Sequence, residues 1–315
     1  MSETRVILLC SSRLALPAMQ QLLFLNLLAV VVVPKHTDEM VENVQFLLKQ
    51  TTVPILIVEQ ASFANEILDA IEKYEVNLGL MISFSFLLPA KVFKATKHGF
   101  YNVHPGPLPQ YRGADPIFQQ IKNKEKQAGI CIHQVSQAFD SGPIAMQEMI
   151  RLLPTDTYGM LTTKLAQLAA KLIITLLKLL SFDVAIPVKE QELSNSRYFK
   201  KHTGKDVLIN WEDMDSKTIT ALVNACNPWN KGATTLLNGR IVRILEADVI
   251  VGHSYHKQIL PATILSFQYN KLLVATKDGG TIGISSMYQD EGFLSVDRLP
   301  SVGVVVGLRF DTVRN

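Results

Sequence analysis

The chain of 315 residues contains only three cysteines, and this scarcity limits what the protein can be. Cys10, Cys131 and Cys226 lie far apart and form no Cys-x-x-Cys pair. This spacing argues against a disulfide framework and against a cysteine-based metal centre. Cys10 and Cys131 lie in apolar, strand-like runs, where a free cysteine packs as a small hydrophobic residue. The number and spacing of the cysteines therefore predict a protein that resides in a reducing compartment.

Long hydrophobic runs are also missing from the first part of the sequence. Residues 1–5 lead directly into a predicted strand, and the apolar stretch that follows is broken by polar residues and by Pro17. A second apolar run, residues 22–33, is shorter than a spanning helix and fits a helix end, a turn and a buried strand. We therefore expect no signal peptide, no membrane span and a cytoplasmic protein without a membrane partner.

Charge is sparse and nearly balanced. Charged residues make up 19% of the chain, and the formal net charge is +3. This balance permits a polyanionic partner, but it is far from the basic composition that by itself indicates a nucleic-acid-binding protein. The 48% of hydrophobic residues and the length are typical of a globular protein with two domains.

Predicted strands and helices take turns through the first half of the chain. The predicted strands are residues 6–10, 28–33, 53–58, 78–84, 100–104 and 127–135. The predicted helices are residues 17–25, 39–49, 63–73, 116–122 and 157–180. This alternation predicts an α/β fold with a doubly wound, mostly parallel sheet of the Rossmann-like kind. A Gly-x-Gly-x-x-Gly motif is absent, so dinucleotide binding is not indicated.

The second half has a different texture. After a predicted helix at residues 216–226, short strands are separated by Asn-Gly and Asp-Gly-Gly turns, which favours a small antiparallel domain. These predicted strands are residues 233–237, 241–249, 261–267, 271–276 and 280–287. We predict a catalytic domain at residues 1–185, a linker at 186–205 and a smaller, OB-like β-barrel domain at 206–315.

Residues 99–116 hold the most informative stretch of the sequence. Asn102 and His104 are two residues apart in a predicted strand, so their side chains share one face. The strand runs into a loop rich in proline and glycine, and ligands of open α/β sheets bind at the carboxyl ends of strands. Asp140 follows another predicted strand, within an Asp-Ser-Gly sequence that is also common turn chemistry.

Asn102, His104 and Asp140 together suit one kind of reaction. A neutral histidine can act as a general base, an aspartate can orient it, and an asparagine amide can donate to an oxygen that becomes negative. The segment offers neither a serine, threonine or cysteine nucleophile nor a metal-ligand spacing. These residues therefore favour direct transfer of an acyl group to a bound nucleophile.

Three separated motifs carry a family resemblance. Asn102-Val103-His104, then Leu108-Pro109-Gln110-Tyr111-Arg112-Gly113, then Asp140-Ser141-Gly142 resemble, in this order, the signature of the 10-formyltetrahydrofolate-dependent formyltransferases. The resemblance implies a metal-independent N-formyltransferase with 10-formyltetrahydrofolate as co-substrate. It also implies that His104 manages protons on the attacking amine, Asn102 holds the formyl oxygen as the oxyanion forms, and Asp140 positions His104 and a water.

The same resemblance implies binding residues. Residues expected to grip the folate pteridine are Phe84, Ser85, Phe86, Leu87, Leu88 and Phe139. Residues expected to bind the acceptor are Arg112, Gly113, Lys200 and Lys201.

The acceptor is left open between two classes. The resemblance covers nearly the whole chain and points to the two-domain, methionyl-tRNA formyltransferase-like branch of the family. It therefore implies initiator methionyl-tRNA as the acceptor. In that branch a long basic insertion follows the second strand, whereas here residues 34–39 run directly into the next helix. The junction at residues 198–206 is similar to that of enzymes that formylate an amino-sugar nucleotide.

Two other functions stay open beside amine formylation. One is a non-catalytic folate- or RNA-binding homologue, because fold does not fix function. The other is hydrolysis of the formyl donor, with water in place of the amine. Neither the oligomeric state nor the pathway is predicted.

Overall fold

The computed structural model describes residues 4–182, 184–252, 255, 258–289 and 292–313. The chain forms two compact units. The first comprises residues 1–116, 128–150 and 162–199, and the second comprises 117–127, 151–161 and 200–315. Of the N-terminal stretch expected to lead into the first strand, residues 1–3 lie outside the described part.

The first 200 residues contain nine strands and six α-helices within the described ranges. The strands are β1 (Val6–Cys10), β2 (Leu28–Pro34), β3 (Ile55–Val58), β4 (Leu78–Ile82), β5 (Phe100–His104), β6 (Arg112–Gly113), β7 (Gln127–Gln134), β8 (Ile144–Arg151) and β9 (Tyr198–Phe199). The helices are α1 (Leu16–Phe24), α2 (Asp38–Leu48), α3 (Phe63–Lys73), α4 (Ala90–Phe93), α5 (Pro116–Lys122) and α6 (Tyr158–Ser181).

The main sheet of the first unit has the order β3-β2-β1-β4-β5-β7-β8. The pairs from β3 through β5 are parallel, as expected for a doubly wound fold. β7 is antiparallel to β5, so the sheet is mixed. Parallel neighbours need a crossover that returns the chain to the same end of the sheet. The connection from β5 to β7 instead contains the short α5, which belongs to the second unit from residue 117 onward.

Continuous apolar runs explain why the sheet is buried. All five residues of β1 are fully buried, which an interior strand covered on both faces requires. On one face, Ile7, Leu9, Val30 and Val32 form a single cluster with Ile67 of α3. Their spacing of two residues within each strand puts these side chains on the same side.

The long helix α6 is a core helix. By length and apolar composition it could cross a membrane, but 56% of its most apolar stretch is buried inside the protein. The buried side chains follow the three- and four-residue spacing that the sequence predicts for one stripe, and they include Leu161, Leu165, Leu172 and Leu176. The apolar character of α6 is therefore explained by the stripe of side chains that it buries in the protein.

The connection between β2 and α2 is short. β2 ends at Pro34 and α2 begins at Asp38, and a turn closes between them with the Thr37 N–H donating to the Pro34 oxygen at 3.1 Å. The direct passage that the sequence predicts at this point is thus confirmed, and no insertion intervenes.

Beyond residue 200, the second unit is a curled antiparallel sheet with a helix packed on it. Its elements are α7 (Ser216–Cys226), β10 (Ala233–Leu237), β11 (Arg240–Ile250), β12 (Ile264–Gln268), β13 (Lys271–Ala275), β14 (Thr281–Gln289), β15 (Gly292–Ser295) and β16 (Phe310–Asp311). The strand order is β12-β13-β14-β11-β10-β16, and β15 pairs with β14. An antiparallel bridge between Thr263 and Arg309 joins the two edges. The barrel-like, antiparallel architecture expected for this half is confirmed.

The core of the second unit is built around Trp211. Its ring stacks on Phe310 with centroids 5.3 Å apart, and its Nε1 donates to Thr235 Oγ1 at 2.9 Å. A buried tryptophan needs such a partner for its N–H. The Asp215 side chain caps α7 by accepting from the Thr218 N–H at 2.6 Å, which fixes where the helix begins.

Candidate active site

β5 delivers two polar side chains to one place. Asn102 and His104 both contact Oδ1 of Asp140, with Asn102 Nδ2 at 3.3 Å and His104 Nδ1 at 3.3 Å. The two-residue spacing of the strand accounts for their shared face. His104 is 4% exposed and Asp140 9%, so the group is shielded from bulk water. The structure brings together the three residues that the sequence singled out.

Asp140 reaches this place through an unusual loop. Because β7 is antiparallel, its carboxyl end lies beside the start of β5, with Gln134 opposite Tyr101. Residues 135–143 return the chain so that the Asp140 carboxylate meets the far end of β5. Asp140 has a left-handed φ of 52°, a conformation that few non-glycine residues adopt outside tight turns. The sheet is mostly parallel, as the sequence predicts, and β7 departs from this direction where it pairs with β5.

The Asp140 carboxylate is held as an anion. Burial raises the pKa of this group, whereas the charge of His104, the hydrogen bond from His104 and the hydrogen bond from the Gly113 N–H lower it. The lowering effects win, so the pKa of Asp140 lies well below the ordinary aspartate range. Gly113 N donates to Oδ2 at 2.9 Å, which leaves Oδ1 to face the side chains of β5.

His104 is engaged at both ring nitrogens. Nδ1 faces Asp140, and Nε2 lies 2.6 Å from the carbonyl oxygen of Tyr111. A carbonyl oxygen and an ionised carboxylate can only accept, so both contacts are hydrogen bonds when both ring nitrogens carry a hydrogen.

His133 belongs to the same cluster, although the sequence pattern did not single it out. It lies opposite Asn102 in the β5–β7 register and is 2% exposed. Its Nδ1 donates to the Gln134 oxygen at 2.8 Å, which leaves Nε2 to accept from Asn102 Nδ2 at 3.1 Å. A signal was present, since a lone histidine interrupts an apolar strand run. That His133 contacts Asn102, however, cannot be predicted without knowing how β5 and β7 pair.

The predicted folate-binding residues divide into two groups. Phe84, Phe86 and Leu88 are buried in the core cluster. Leu87 and Phe139 are 43% and 44% exposed, and Ser85 is also exposed. Buried and exposed side chains alternate along residues 84–88. The buried ones fix the segment in the core, and the others face outward.

The predicted acceptor-binding residues lie in both units. The Arg112 guanidinium contacts the side chain of Gln191, and the Gly113 N–H donates to Asp140. Gly113 has φ of 107°, and a Cβ there would lie 2.0 Å from the Phe199 oxygen, so glycine is required. Lys200 and Lys201 belong to the second unit and are exposed.

Within the described ranges, no group of three or more His, Cys, Asp or Glu residues is arranged to hold a metal ion. The assembled side chains offer an amide donor, an imidazole that can exchange a proton and an orienting carboxylate. Such a set can stabilise a developing oxyanion and exchange a proton with a bound nucleophile.

Comparison with known families agrees with this chemistry. The family model described as Formyl transferase matches residues 29–177, and that described as Formyl transferase, C-terminal domain, matches residues 201–292. The chain belongs to the formyltransferase family. The resemblance carried by the three motifs is thereby confirmed, and this formyltransferase is a group-transfer enzyme.

Relatives of this formyltransferase include methionyl-tRNA formyltransferases of two bacteria. That of Rickettsia typhi is 31% identical over 215 residues, which are 68% of this chain and 67% of the relative. That of Orientia tsutsugamushi is 28% identical over 282 residues, which are 87% of this chain and 89% of the relative.

A solved structure shares the fold. It is WlaRD, described as a sugar 3N-formyl transferase in the presence of dTDP and 5-N-formyl-THF. The TM-score is 0.67 at 16% identity, and the match covers 90% of this chain and 98% of that one. At this identity the likeness shows the fold alone.

Proposed function

We propose that this formyltransferase moves the formyl group of 10-formyltetrahydrofolate to a primary amine by direct attack, with initiator methionyl-tRNA as the acceptor. The observation that carries the proposal is the sharing of one Asp140 carboxylate oxygen by Asn102 and His104. This arrangement aligns an amide donor and a proton acceptor toward one place, as acyl transfer without a covalent enzyme intermediate requires.

The co-substrate fits the residues that are present. The flat, partly apolar pteridine ring suits apolar side chains that are open to solvent, and Leu87 and Phe139 are such side chains in the predicted set. When bound, 10-formyltetrahydrofolate supplies an electrophilic formyl carbon. The buried Phe84, Phe86 and Leu88 keep the backbone of the 84–88 segment in place for polar contacts with the ring.

The chain's own residues have distinct tasks in this proposal. Asn102 releases its 3.3 Å contact with Asp140 and donates that amide hydrogen to the formyl oxygen as negative charge develops there, while its other amide hydrogen stays on His133. His104, with its hydrogen on Nδ1 and a free lone pair on Nε2, takes the proton that the attacking amine loses. It gives this proton to the departing nitrogen of tetrahydrofolate as the bond to the formyl carbon breaks. The proton is exchanged at Nε2, because Nδ1 faces Asp140. In this step Nε2 gives up its contact with the Tyr111 carbonyl and turns to the amine. Asp140 holds the ring in this orientation and stabilises its charged form.

The acceptor is proposed from the relatives and from the second unit. Full-length likeness to methionyl-tRNA formyltransferases favours a tRNA acceptor. We propose that residues 1–185 form the catalytic domain and residues 186–205 a linker. Residues 206–315, which follow in sequence, form the acceptor domain. We also propose a cytosolic location, which the three free, buried cysteines support.

An amino-sugar nucleotide is the second candidate acceptor. The direct passage from β2 to α2 favours it, because the resemblance to tRNA enzymes implies a basic insertion at this point. The fold can accommodate such an acceptor, since the solved structure that shares it is described as a sugar 3N-formyl transferase.

A parallel assay separates these functions. Formyl transfer from 10-formyltetrahydrofolate is measured on initiator methionyl-tRNA and on a panel of amino-sugar nucleotides, together with formate release without any amine. Efficient formylation of methionyl-tRNA supports the proposal, and turnover on a sugar nucleotide alone replaces its acceptor. Formate release alone indicates a hydrolase, and no turnover with any acceptor contradicts catalysis.

A further inference from the structure

A side chain outside all three sequence motifs holds the turn that carries Asp140. Gln191 lies between α6 and β9, in the segment predicted to be a plain linker. Its Nε2 donates to the carbonyl oxygen of Asp140 at 3.0 Å and to that of Gly142 at 2.7 Å. A side-chain amide has two N–H groups, and both are used here. Gln191 thereby ties together the two residues that flank Ser141.

The orientation of the Gln191 amide is itself fixed. Arg112 donates from Nε at 3.0 Å and from Nη2 at 2.6 Å to the same oxygen, Gln191 Oε1. This fork-like approach forces the amide oxygen toward Arg112 and its nitrogen toward the turn. The Arg112 backbone is anchored in turn, because its N–H donates to the Arg197 oxygen at 3.1 Å and β6 pairs with β9.

The turn needs such support. Asp140 adopts a left-handed conformation without being glycine, which persists only where the surroundings impose it. At Gly142, a Cβ would lie 1.9 Å from the Gln134 oxygen, so the chain is pressed closely onto β7. Without the two hydrogen bonds from Gln191 the turn can relax, and the carboxylate no longer keeps a fixed distance to His104.

We propose that Gln191 is a positioning residue for formyl transfer, which aims the Asp140 carboxylate at His104 and is itself aimed by Arg112. This inference rests on the proposed function, because it takes Asp140 and His104 as the catalytic pair. It gives the Arg112 side chain a task inside the protein, in place of the acceptor binding implied by the family resemblance.

A double-mutant cycle tests the proposal. Gln191→Ala, Asp140→Asn and the double variant are compared in formyl transfer to the acceptor that turns over in the parallel assay. Gln191→Ala is expected to lower kcat by at least about tenfold with an unchanged Kd for 5-formyltetrahydrofolate. In the Asp140→Asn background the same change is expected to cost less than about twofold, because no carboxylate is left to aim. Fully additive effects would overturn the proposal.

Two further variants separate positioning from folding. Glu192→Gln, at the exposed neighbouring position, is expected to keep wild-type kcat. Gln191→Glu keeps the oxygen toward Arg112 but replaces the two donors with an acceptor, so it is expected to be as impaired as Gln191→Ala. Thermal unfolding checks that all variants fold. A Gln191→Glu variant with wild-type kcat contradicts the role of the two donated hydrogen bonds.

A spectroscopic readout needs no acceptor. In protein labelled with ¹⁵N-histidine, His104→Ala identifies the ring signals of His104. Gln191→Ala and Asp140→Asn are expected to move these signals, whereas Glu192→Gln leaves them in place. Unmoved signals in Gln191→Ala overturn the positioning role. If Asp140→Asn leaves kcat unchanged, the catalytic assignment of the proposed function fails, and the ring signals still decide whether Gln191 aims the carboxylate.

Discussion

His104 Nδ1 and Asp140 Oδ1 lie 3.3 Å apart, although the strand before Asp140 ends beside the start of the strand that carries His104. The interaction therefore depends on the loop at residues 135–143, which returns the carboxylate to the far end of β5. Both side chains are almost completely buried, so water screens their interaction weakly. The proposed catalytic pair therefore depends on a loop that must keep one conformation.

The first prediction concerns the proton acceptor. His104→Ala is expected to lower kcat about 100- to 10,000-fold, the usual worth of general-base assistance, with little change in the Kd for 5-formyltetrahydrofolate. Cys131→Ala is the matched control, because Cys131 is the register partner of His104 and is equally buried without carrying a catalytic proton. Transfer by His104→Ala within a few-fold of wild type would refute the role.

The second prediction uses the pH dependence of stability. The pKa of Asp140 is lowered in the folded protein, so its ionised form stabilises the fold above the unfolded aspartate pKa of about 3.9. This stabilisation is lost as the pH falls from there toward the lower folded pKa. Wild type should therefore exceed Asp140→Asn in free energy of unfolding at pH 7, and the difference should shrink at pH 3.

Urea unfolding at both pH values measures this difference. Other carboxylates are common to the two proteins, so their titration cancels in the comparison. Asp69→Asn, at an exposed position of α3, is the control and should give a small difference at either pH. A gap between wild type and Asp140→Asn that stays constant from pH 7 to pH 3 contradicts the ionised, stabilising carboxylate.

The third prediction concerns the histidine that pattern reasoning missed. His133→Phe keeps a ring of similar size but removes the acceptor of the Asn102 amide. A single hydrogen bond is worth about 0.5–1.5 kcal/mol, so kcat is expected to fall about 2- to 12-fold through a less ordered Asn102. The KM for the folate donor should not change. A rise in that KM with unchanged kcat would instead make His133 part of the donor site.

Much of the fold follows from local pattern. Helices at residues 63–73, 116–122 and 216–226 are observed with the predicted bounds, since each has clear apolar spacing and end signals. β8 was missed because its alternation is weak at the sheet edge, with intermediate and exposed residues only. β16 was missed because two residues carry too little pattern.

At the candidate active site, only part of the arrangement can be predicted from local sequence pattern. The shared face of Asn102 and His104 follows from a two-residue period, which any strand has. The antiparallel direction of β7 does not follow, because strand pairing depends on contacts distant in sequence. For this reason His133 and Gln191 could not be connected to the site, whereas Asp140 was found through its motif.

The last prediction addresses the acceptor. Lys200 and Lys201 are exposed in the second unit, within the basic stretch from Arg197 to Lys205. A tRNA is held largely through its phosphates, so binding weakens steeply as salt rises. Charge reversal of both lysines is expected to raise the acceptor KM and to leave the Kd for 5-formyltetrahydrofolate unchanged. For tRNA, it should also reduce the salt slope of log KM by about 1 for each phosphate that the lysines no longer neutralise.

A double reversal at Lys217 and Lys277 matches the change in net charge at other exposed positions of the second unit. If the effect is local, this control keeps the wild-type KM and salt slope. Equal effects of the two double reversals would show that only overall charge matters, which would remove Lys200 and Lys201 from the acceptor site. A steep wild-type salt slope is expected for a tRNA acceptor and a shallow one for an amino-sugar nucleotide, because the latter offers far fewer phosphates. The same titration therefore tests both the lysines and the class of acceptor they serve.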